Sequence, residues 1–317
     1  MRLFIQNENR VKCGKCGTEF DVNRNDGCPL CGFGKDGKAD RPEKIARSVI
    51  SSANYLAIPV NKKTEEGTIF TSKETESVGS WCMFNSFFPG KAILRILANL
   101  ENEENSKSIR LDKLLEIAAE SITARGLTKW RGFPKDIESD SSIGRLVYHF
   151  MKTFCNMGFI KAENTEGVSE NVWEEHWTNI YLSITKEGLE FAKLHNRIFD
   201  DDEESQVLSA EEKDWLVKYL KKIDTQGYKE YTLLKRVFEF LKEGHNGKNE
   251  LWDWFASDKT FIDYVKDWSR KSGNEEEFKL QIQNLAPTLA AGKIALLREL
   301  GIIRNKRNDY NIVGDLE

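Results

Sequence analysis

Four cysteines near the N-terminus are spaced as ligands of a single metal ion. Cys13 and Cys16 form one Cys-x-x-Cys pair, and Cys28 and Cys31 form a second. Two thiolates on one tight turn can reach the same ion, and two such turns complete the tetrahedron that Zn²⁺ prefers. Because four thiolates leave no open position for water, this spacing predicts a structural Zn²⁺ rather than a catalytic one.

The residues around the two pairs are typical of a small module that folds around its metal. A glycine follows the second cysteine of each pair, where such turns commonly need a positive φ. The alternating segment 18–22 between the pairs predicts a short strand. So short a unit cannot bury enough apolar surface alone, and the metal supplies its folding energy. Residues 10–34 resemble the zinc-ribbon (rubredoxin-like) family. A redox dithiol pair, or iron held by the same four thiolates, is the alternative.

The other reactive residues match known catalytic motifs only in part. Residues 32–39 have the spacing of a phosphate-binding loop, but Ala39 stands where a metal-binding hydroxyl is needed. Asp202 followed by Glu211 and Lys213 loosely matches a nuclease pattern that requires a strand, whereas here a capped helix is predicted. The sequence therefore predicts a non-enzymatic protein, and a nuclease with an unrecognised site is the weaker alternative.

Apolar residues at helical spacing predict three helices between residues 89 and 158. Two short strands at 159–162 and 180–185 and a further helix from Lys186 follow. Three helices, a two-stranded wing and a helix form an order that resembles a winged helix-turn-helix domain. Residues 182–188 resemble the wing-strand-to-helix junction of MarR- and PadR-like regulators. The resemblance covers residues 90–196 and implies a module that contacts either DNA or a partner protein.

The C-terminal half repeats part of this order. A capping box at Ser209 and Glu212 predicts a helix start, and the aromatic residues from Trp252 to Trp268 are predicted as core. A helix at 289–300 and a hairpin with strands at 301–304 and 310–313 complete a second winged-helix-like pattern.

The predicted fold is mainly α with small β elements, in a multi-domain α+β chain. We expect packing roles for Cys82 and Cys155, because a free cysteine behaves as a small hydrophobic residue. The predicted divisions are a zinc ribbon at 1–40, a helix (opening at Pro42) and linker at 41–88, a winged-helix domain at 89–198, a solvated acidic linker at 199–208, and a helical C-terminal domain with a winged-helix-like end at 209–317.

Two local clusters of cations could bind phosphate, although the net charge of the chain is −4. Each segment, 122–135 and 293–307, has a local charge of +4, and a solvated cationic face is the alternative reading. Two residues of the third helix, Arg145 and Lys152, are candidate groove contacts. The candidates in the two clusters are Arg125, Lys129 and Arg131 in the first, and Lys293, Arg298, Arg304, Lys306 and Arg307 in the second.

One segment has the opposite charge. The first wing, residues 163–178, carries five glutamates and no Lys or Arg, so phosphate would repel it. We call this segment the acidic wing and expect it to contact protein or to point away from DNA.

Neither an apolar signal core nor a membrane-length apolar stretch is visible, which predicts a cytoplasmic protein without a membrane partner. The leading hypothesis is a non-enzymatic zinc-containing protein that binds double-stranded DNA, either a transcriptional regulator or an accessory subunit of a DNA-processing or phage-defence system. The alternative is a protein–protein interaction scaffold that uses the ribbon and the acidic wing.

Overall fold

The described part of the chain is mainly helical with small antiparallel sheets, as predicted. In the computed structural model, the described residues are the backbone of 4–7, 10–12 and 19–21, and residues 55–69, 87–129, 133, 147, 150–169, 172–201, 207–245, 247–268, 275–306 and 309–316. The predicted helix start at Pro42 and the packing role of Cys82 lie outside these residues. Leu56 is buried, and residues 61–69 have no regular secondary structure, which fits the linker predicted within residues 41–88.

A small antiparallel sheet lies near the N-terminus. Its strands are β1 (Phe4–Asn7), β2 (Arg10–Lys12) and β3 (Glu19–Asp21), in the order β1-β2-β3. Strand β3 confirms the strand predicted between the two cysteine pairs. Strands β1 and β2 were not predicted, because each is too short to show a clear alternation.

Helix α1 (Phe87–Glu103) is the centre of the middle part of the chain. It packs against α2 (Leu111–Ala124), and residues 150–156 form a third helix, α3. The three helices bury the apolar residues that their spacing predicts, where they are described, except that Leu115 on α2 is half-buried. Gly158 ends α3 with a φ of +74°, and its N–H donates to the carbonyl of Cys155 at 3.0 Å. Cys155 itself is buried, as predicted.

The three-stranded sheet of the middle part has the order β4-β6-β5. Its strands are β4 (Ile109–Arg110), β5 (Ile160–Glu163) and β6 (Tyr181–Ile184), and α4 (Lys186–Lys193) follows. The β5–β6 pair and α4 confirm the predicted elements, and β4 is an additional strand. The Thr185 hydroxyl accepts the N–H of Gly188 and donates to the carbonyl of Gly158. A Cβ at Gly188 would lie 2.0 Å from the carbonyl oxygen of Phe159, so this junction requires glycine.

The C-terminal half consists of helices and a terminal hairpin. Its helices are α5 (Arg197–Asp200), α6 (Ala210–Asp224), α7 (Glu230–Lys242), α8 (Lys248–Ser257), α9 (Lys259–Trp268) and α10 (Glu275–Glu299), and its strands are β7 (Ile303–Lys306) and β8 (Asp309–Ile312). The predicted capping box at Ser209 is present. Helix α10 begins at Glu275 rather than at 289, since its first turns are mostly exposed and give no apolar periodicity.

Aromatic contacts join the two helical halves into one core. The ring of Phe159, before β5, lies 4.7 Å from that of Tyr219 on α6, and the ring of Phe191 lies 5.2 Å from that of Trp215. The predicted aromatic core of α8 and α9 is confirmed at Phe255, with Phe261 and Tyr264 also buried. The middle and C-terminal halves therefore support each other's packing.

Candidate nucleic-acid interface

The terminal hairpin presents Arg304 to solvent. Gly301, with a φ of +76°, turns the chain out of α10 and donates its N–H to the carbonyl of Arg298 at 3.0 Å. Ile302 and Ile303 are buried and hold the first strand against the core. Arg304 follows on β7 and is exposed. The hairpin is therefore a fixed platform for a cation rather than a loose loop.

The remaining cations of this cluster differ in accessibility. Arg298 is half-buried in the last turn of α10. Lys306 ends β7, and Arg307 lies outside the described residues. The register pairs Lys306 with Asp309, so the hairpin connection is shorter than predicted and consists of residues 307–308.

The prediction that Lys293 contacts phosphate was wrong. Its side chain is only 1% exposed, and its ammonium group forms an ion pair with Glu230, which is 4% exposed. Lys293 lies on α10 and Glu230 at the start of α7, so this ion pair joins two helices of the core. A buried, paired ammonium group is not available to a phosphate of DNA.

The first basic cluster is described only in part. Arg125 follows α2, is half-buried, and donates from Nη2 to the carbonyl of Phe199 at 2.9 Å. Lys129 ends a short 3-10 turn and is exposed. Lys152 is half-buried on α3. Arg131 and Arg145 lie outside the described residues. Arg125 is thus held against α5, and Lys129 is the exposed cation among the described members of this cluster.

The acidic wing is anchored at its base. Val172 is 2% exposed and Trp177 is 9% exposed, and the 3-10 turn that holds Trp177 packs against α2. Glu163 is half-buried and lies 2.7 Å from the ammonium group of Lys161. Glu166 and Glu175 are exposed. Glu166 and Glu175 therefore project from a loop that is fixed at its base.

A buried polar network that the sequence analysis missed lies between α1 and the helices around it. Arg95 uses all five of its N–H donors, two of them on Asp200 at 2.6 and 2.9 Å. The other three donate to the carbonyl oxygens of Leu56, Ala192 and Leu194. Asp200 was predicted to lie in a solvated linker. It instead ends α5, and its pKa lies below the ordinary value because hydrogen bonds from Arg95 and from the Asn196 backbone outweigh desolvation.

Lys91 forms the second half of this network. Its ammonium group forms an ion pair with Glu212 and donates to the carbonyl of Leu194 at 2.7 Å. Both side chains of the pair are fully buried. Burial lowers the pKa of Lys91 to about 8, although the neighbouring Glu212 carboxylate opposes the shift. The signal in the sequence was a Lys and an Arg four residues apart within an otherwise apolar helical run.

The packing of this network indicates a structural role. The amide of Asn196 donates to both carboxylate oxygens of Glu212, at 3.1 and 2.9 Å, and Glu212 also closes the capping box of α6. Glu212 and Lys213 thus belong to the first turn of a helix, and not to the strand that the nuclease pattern requires. Such saturated buried charges hold helices in one arrangement and leave no group free for a substrate.

The four cysteines predicted to bind zinc belong to the N-terminal part of the chain. Cys13, Cys16, Cys28 and Cys31 all lie outside the described residues. Within the described part of the chain, no group of three or more His, Cys, Asp or Glu side chains is arranged to hold a metal ion. Among the same residues, no helix is both long enough and apolar enough to span a membrane.

Comparisons with known proteins give no relative. No protein-family model, no curated protein and no solved structure matches this chain. Its function is therefore inferred from its own residues and geometry.

Proposed function

We propose that this chain is a non-enzymatic, zinc-containing protein that binds double-stranded DNA, as a transcriptional regulator or as an accessory subunit of a DNA-processing or phage-defence system. The observation that carries the proposal is the order of elements in the middle part: α1, α2 and α3, then the antiparallel β5–β6 pair, then α4. This order supports the proposal because it fits the resemblance of residues 90–196 to a winged helix-turn-helix domain. In this proposal the half-buried Lys152 of α3, together with Arg145, supplies the candidate groove contacts of the domain.

The terminal hairpin supplies a second contact. It follows α10 as a wing follows a helix, and Arg304 is exposed on its first strand. Arginine and lysine side chains at such a position neutralise phosphates and fix the register of the protein on the duplex. We assign phosphate contacts to Arg304, Lys306 and Arg307. Lys293 is excluded from the contact surface by its burial.

The N-terminal cysteines hold a structural Zn²⁺ in this proposal. Four thiolates in two Cys-x-x-Cys pairs are the donor set of a closed tetrahedral site. Strand β3 lies between the pairs in the sequence, which fits a ribbon folded around the ion. The ion stabilises the module and takes no part in a reaction.

Binding of short mixed-sequence duplexes tests the proposal. The affinity of the wild-type chain, measured by fluorescence anisotropy between about 50 and 200 mM salt, should fall steeply with salt. Changing Arg304, Lys306 and Arg307 together to Gln should reduce the slope of log affinity against log salt by about 2–3, since each lost phosphate contact contributes about 0.9.

A matched control removes three exposed lysines elsewhere, with Lys107→Gln, Lys186→Gln and Lys259→Gln combined. These residues lie outside the proposed contact surface, so the slope should not change. An unchanged slope in the hairpin variant would remove the hairpin from the contact surface. A wild-type chain that binds no duplex at low salt would overturn the DNA-binding function.

A protein-interaction scaffold is the second candidate, and the anchored acidic wing favours it. Val172 and Trp177 fix the loop, while Glu166 and Glu175 point a negative surface outward. Such a surface attracts a basic segment of a partner protein. A lysine-rich peptide that binds the wild-type chain, but not the Glu166→Gln, Glu175→Gln variant, would support this function. It would replace the first proposal only if no duplex binds.

A further inference from the structure

A groove beside the terminal hairpin has the chemistry of a phosphate-binding site. It lies between α6, α7 and the residues that follow β8, and its volume is about 390 Å³. Ligand pockets in proteins commonly occupy about 300–1,000 Å³. The lining residues are Lys221, Tyr231, Lys235, Phe238, Glu239, Lys242, Asp315 and Leu316.

Three exposed lysines line this groove together with two acids, Glu239 and Asp315, so the lining has an excess of positive charge. Lys235 lies 3.9 Å from a carboxylate oxygen of Glu239, but that carboxylate lies closer, at 2.8 Å, to the guanidinium of Arg236. Lys221 and Lys242 have no ion pair with a carboxylate among the described residues. The groove therefore presents cations whose charge is available to an anion.

Aromatic rings beneath two of the lysines hold them in place. The ammonium group of Lys221 lies 5.1 Å from the ring centroid of Tyr231, and that of Lys242 lies 5.4 Å from the ring centroid of Phe238. The Tyr231 hydroxyl in turn donates to the carbonyl of Leu316 at 3.3 Å, which fastens the end of the chain to the groove. Such contacts restrain the ammonium group, but its opposite side stays in solvent, where an anion can bind it.

The groove continues the surface of the hairpin. Helix α7 contacts β8, and the lining residues Asp315 and Leu316 follow that strand within four positions. Lys235 and Lys242 are seven residues apart, so they lie on one face of α7, roughly 10 Å apart along its axis. The groove and the hairpin that carries Arg304 are therefore neighbours through the contact between α7 and β8.

We propose that this groove binds phosphate groups of the DNA backbone and extends the contact surface from the hairpin onto α6 and α7. This inference rests on the proposed function. Phosphate is the fitting ligand because Lys221 and Lys242 have no carboxylate partner among the described residues and Lys235 shares Glu239 with Arg236. Duplex DNA is its source because helix α7, which lines the groove, contacts strand β8 of the hairpin.

The test compares two lysine variants of the full chain. The groove variant combines Lys221→Gln, Lys235→Gln and Lys242→Gln, which keep much of each aliphatic stem. The control is the Lys107→Gln, Lys186→Gln, Lys259→Gln variant. Duplex affinity is measured across the same salt series, and tripolyphosphate is titrated into each protein by calorimetry. We expect the groove variant to reduce the salt slope by about 2–3 and the control to leave it unchanged.

The outcomes separate this inference from the proposed function. Suppose that the wild-type chain binds duplex and that the hairpin substitutions lower its affinity for duplex, whereas the groove substitutions do not. In that case the groove inference is wrong and the DNA-binding function stands. If no duplex binds but the groove lysines are required for tripolyphosphate, the DNA assignment falls and a phosphate site remains. If the groove variant matches the control with both ligands, or the wild type binds neither, the groove inference is overturned.

Discussion

The carboxylate of Glu299 accepts the backbone N–H of Phe88 at 2.8 Å, although 211 positions separate the two residues in the sequence. It also accepts the N–H of Phe87. These two N–H groups belong to the first turn of α1, where a helix has no internal acceptor for them. A carboxylate at this end of a helix also opposes the positive end of the helix dipole. The last turn of α10 therefore caps the helix at the centre of the middle part.

Replacing Glu299 with Ala should lower the free energy of unfolding by about 2–3 kcal/mol, because two buried N–H groups would lose their charged acceptor. Urea denaturation followed by circular dichroism measures the change. Glu120→Ala, at an exposed position on α2, is the control and should shift the free energy of unfolding by less than about 0.5 kcal/mol. Equal stabilities of the two variants would contradict the capping role of Glu299.

The buried pair of Lys91 and Glu212 gives a second prediction. Lys91→Met leaves the Glu212 carboxylate buried without its cation, which should cost about 3–5 kcal/mol of the free energy of unfolding. Adding Glu212→Gln should recover part of that loss, since an uncharged amide is less costly to bury. A double-mutant cycle from urea denaturation measures the coupling, and additive effects would show that the two charges do not stabilise each other.

Stability should also depend on pH through Lys91. Burial lowers the pKa of this lysine from 10.5 to about 8 in the folded chain. Between those two values the unfolded chain binds more protons than the folded chain, so the contribution of Lys91 to the free energy of unfolding rises with pH across this window. The rise cannot exceed about 1.4 kcal/mol per pH unit.

Urea denaturation at pH 7, 9 and 10 of the wild-type chain and the Lys91→Met variant measures this contribution. The wild-type free energy of unfolding should rise relative to that of the variant. A constant difference between the two proteins over this window would contradict the lowered pKa.

Local patterns were sufficient to predict most described helices and the hairpin. The capping box at Ser209 and the glycine that ends α3 are determined by residues within a few positions of each other. The apolar spacing of α1 likewise predicted which side chains are buried. Such features need no knowledge of distant contacts, so the sequence alone can show them.

The errors arose where distant residues meet. Lys293 and Asp200 were interpreted from the charge of their neighbours in the sequence, but each is paired with a residue of another helix. The proposed groove has the same origin, since α6, α7 and the end of the chain meet only in the folded protein. The charge of a segment therefore predicts that it is cationic, but it does not predict which of its side chains are exposed.

The final prediction concerns the metal of the N-terminal module. The purified chain should contain stoichiometric Zn²⁺ by mass spectrometry, and replacing both Cys13 and Cys16 with Ser should abolish it, because two thiolates cannot hold a structural site closed. Cys155→Ala, which changes a buried cysteine of α3, should retain the metal and serves as the control. If the protein contains iron instead of zinc, the predicted four-cysteine site stands and only the identity of the metal is wrong. Wild-type protein that carries no metal and is indifferent to strong chelators would contradict the site, because residues 10–34 have too little apolar surface to fold without it.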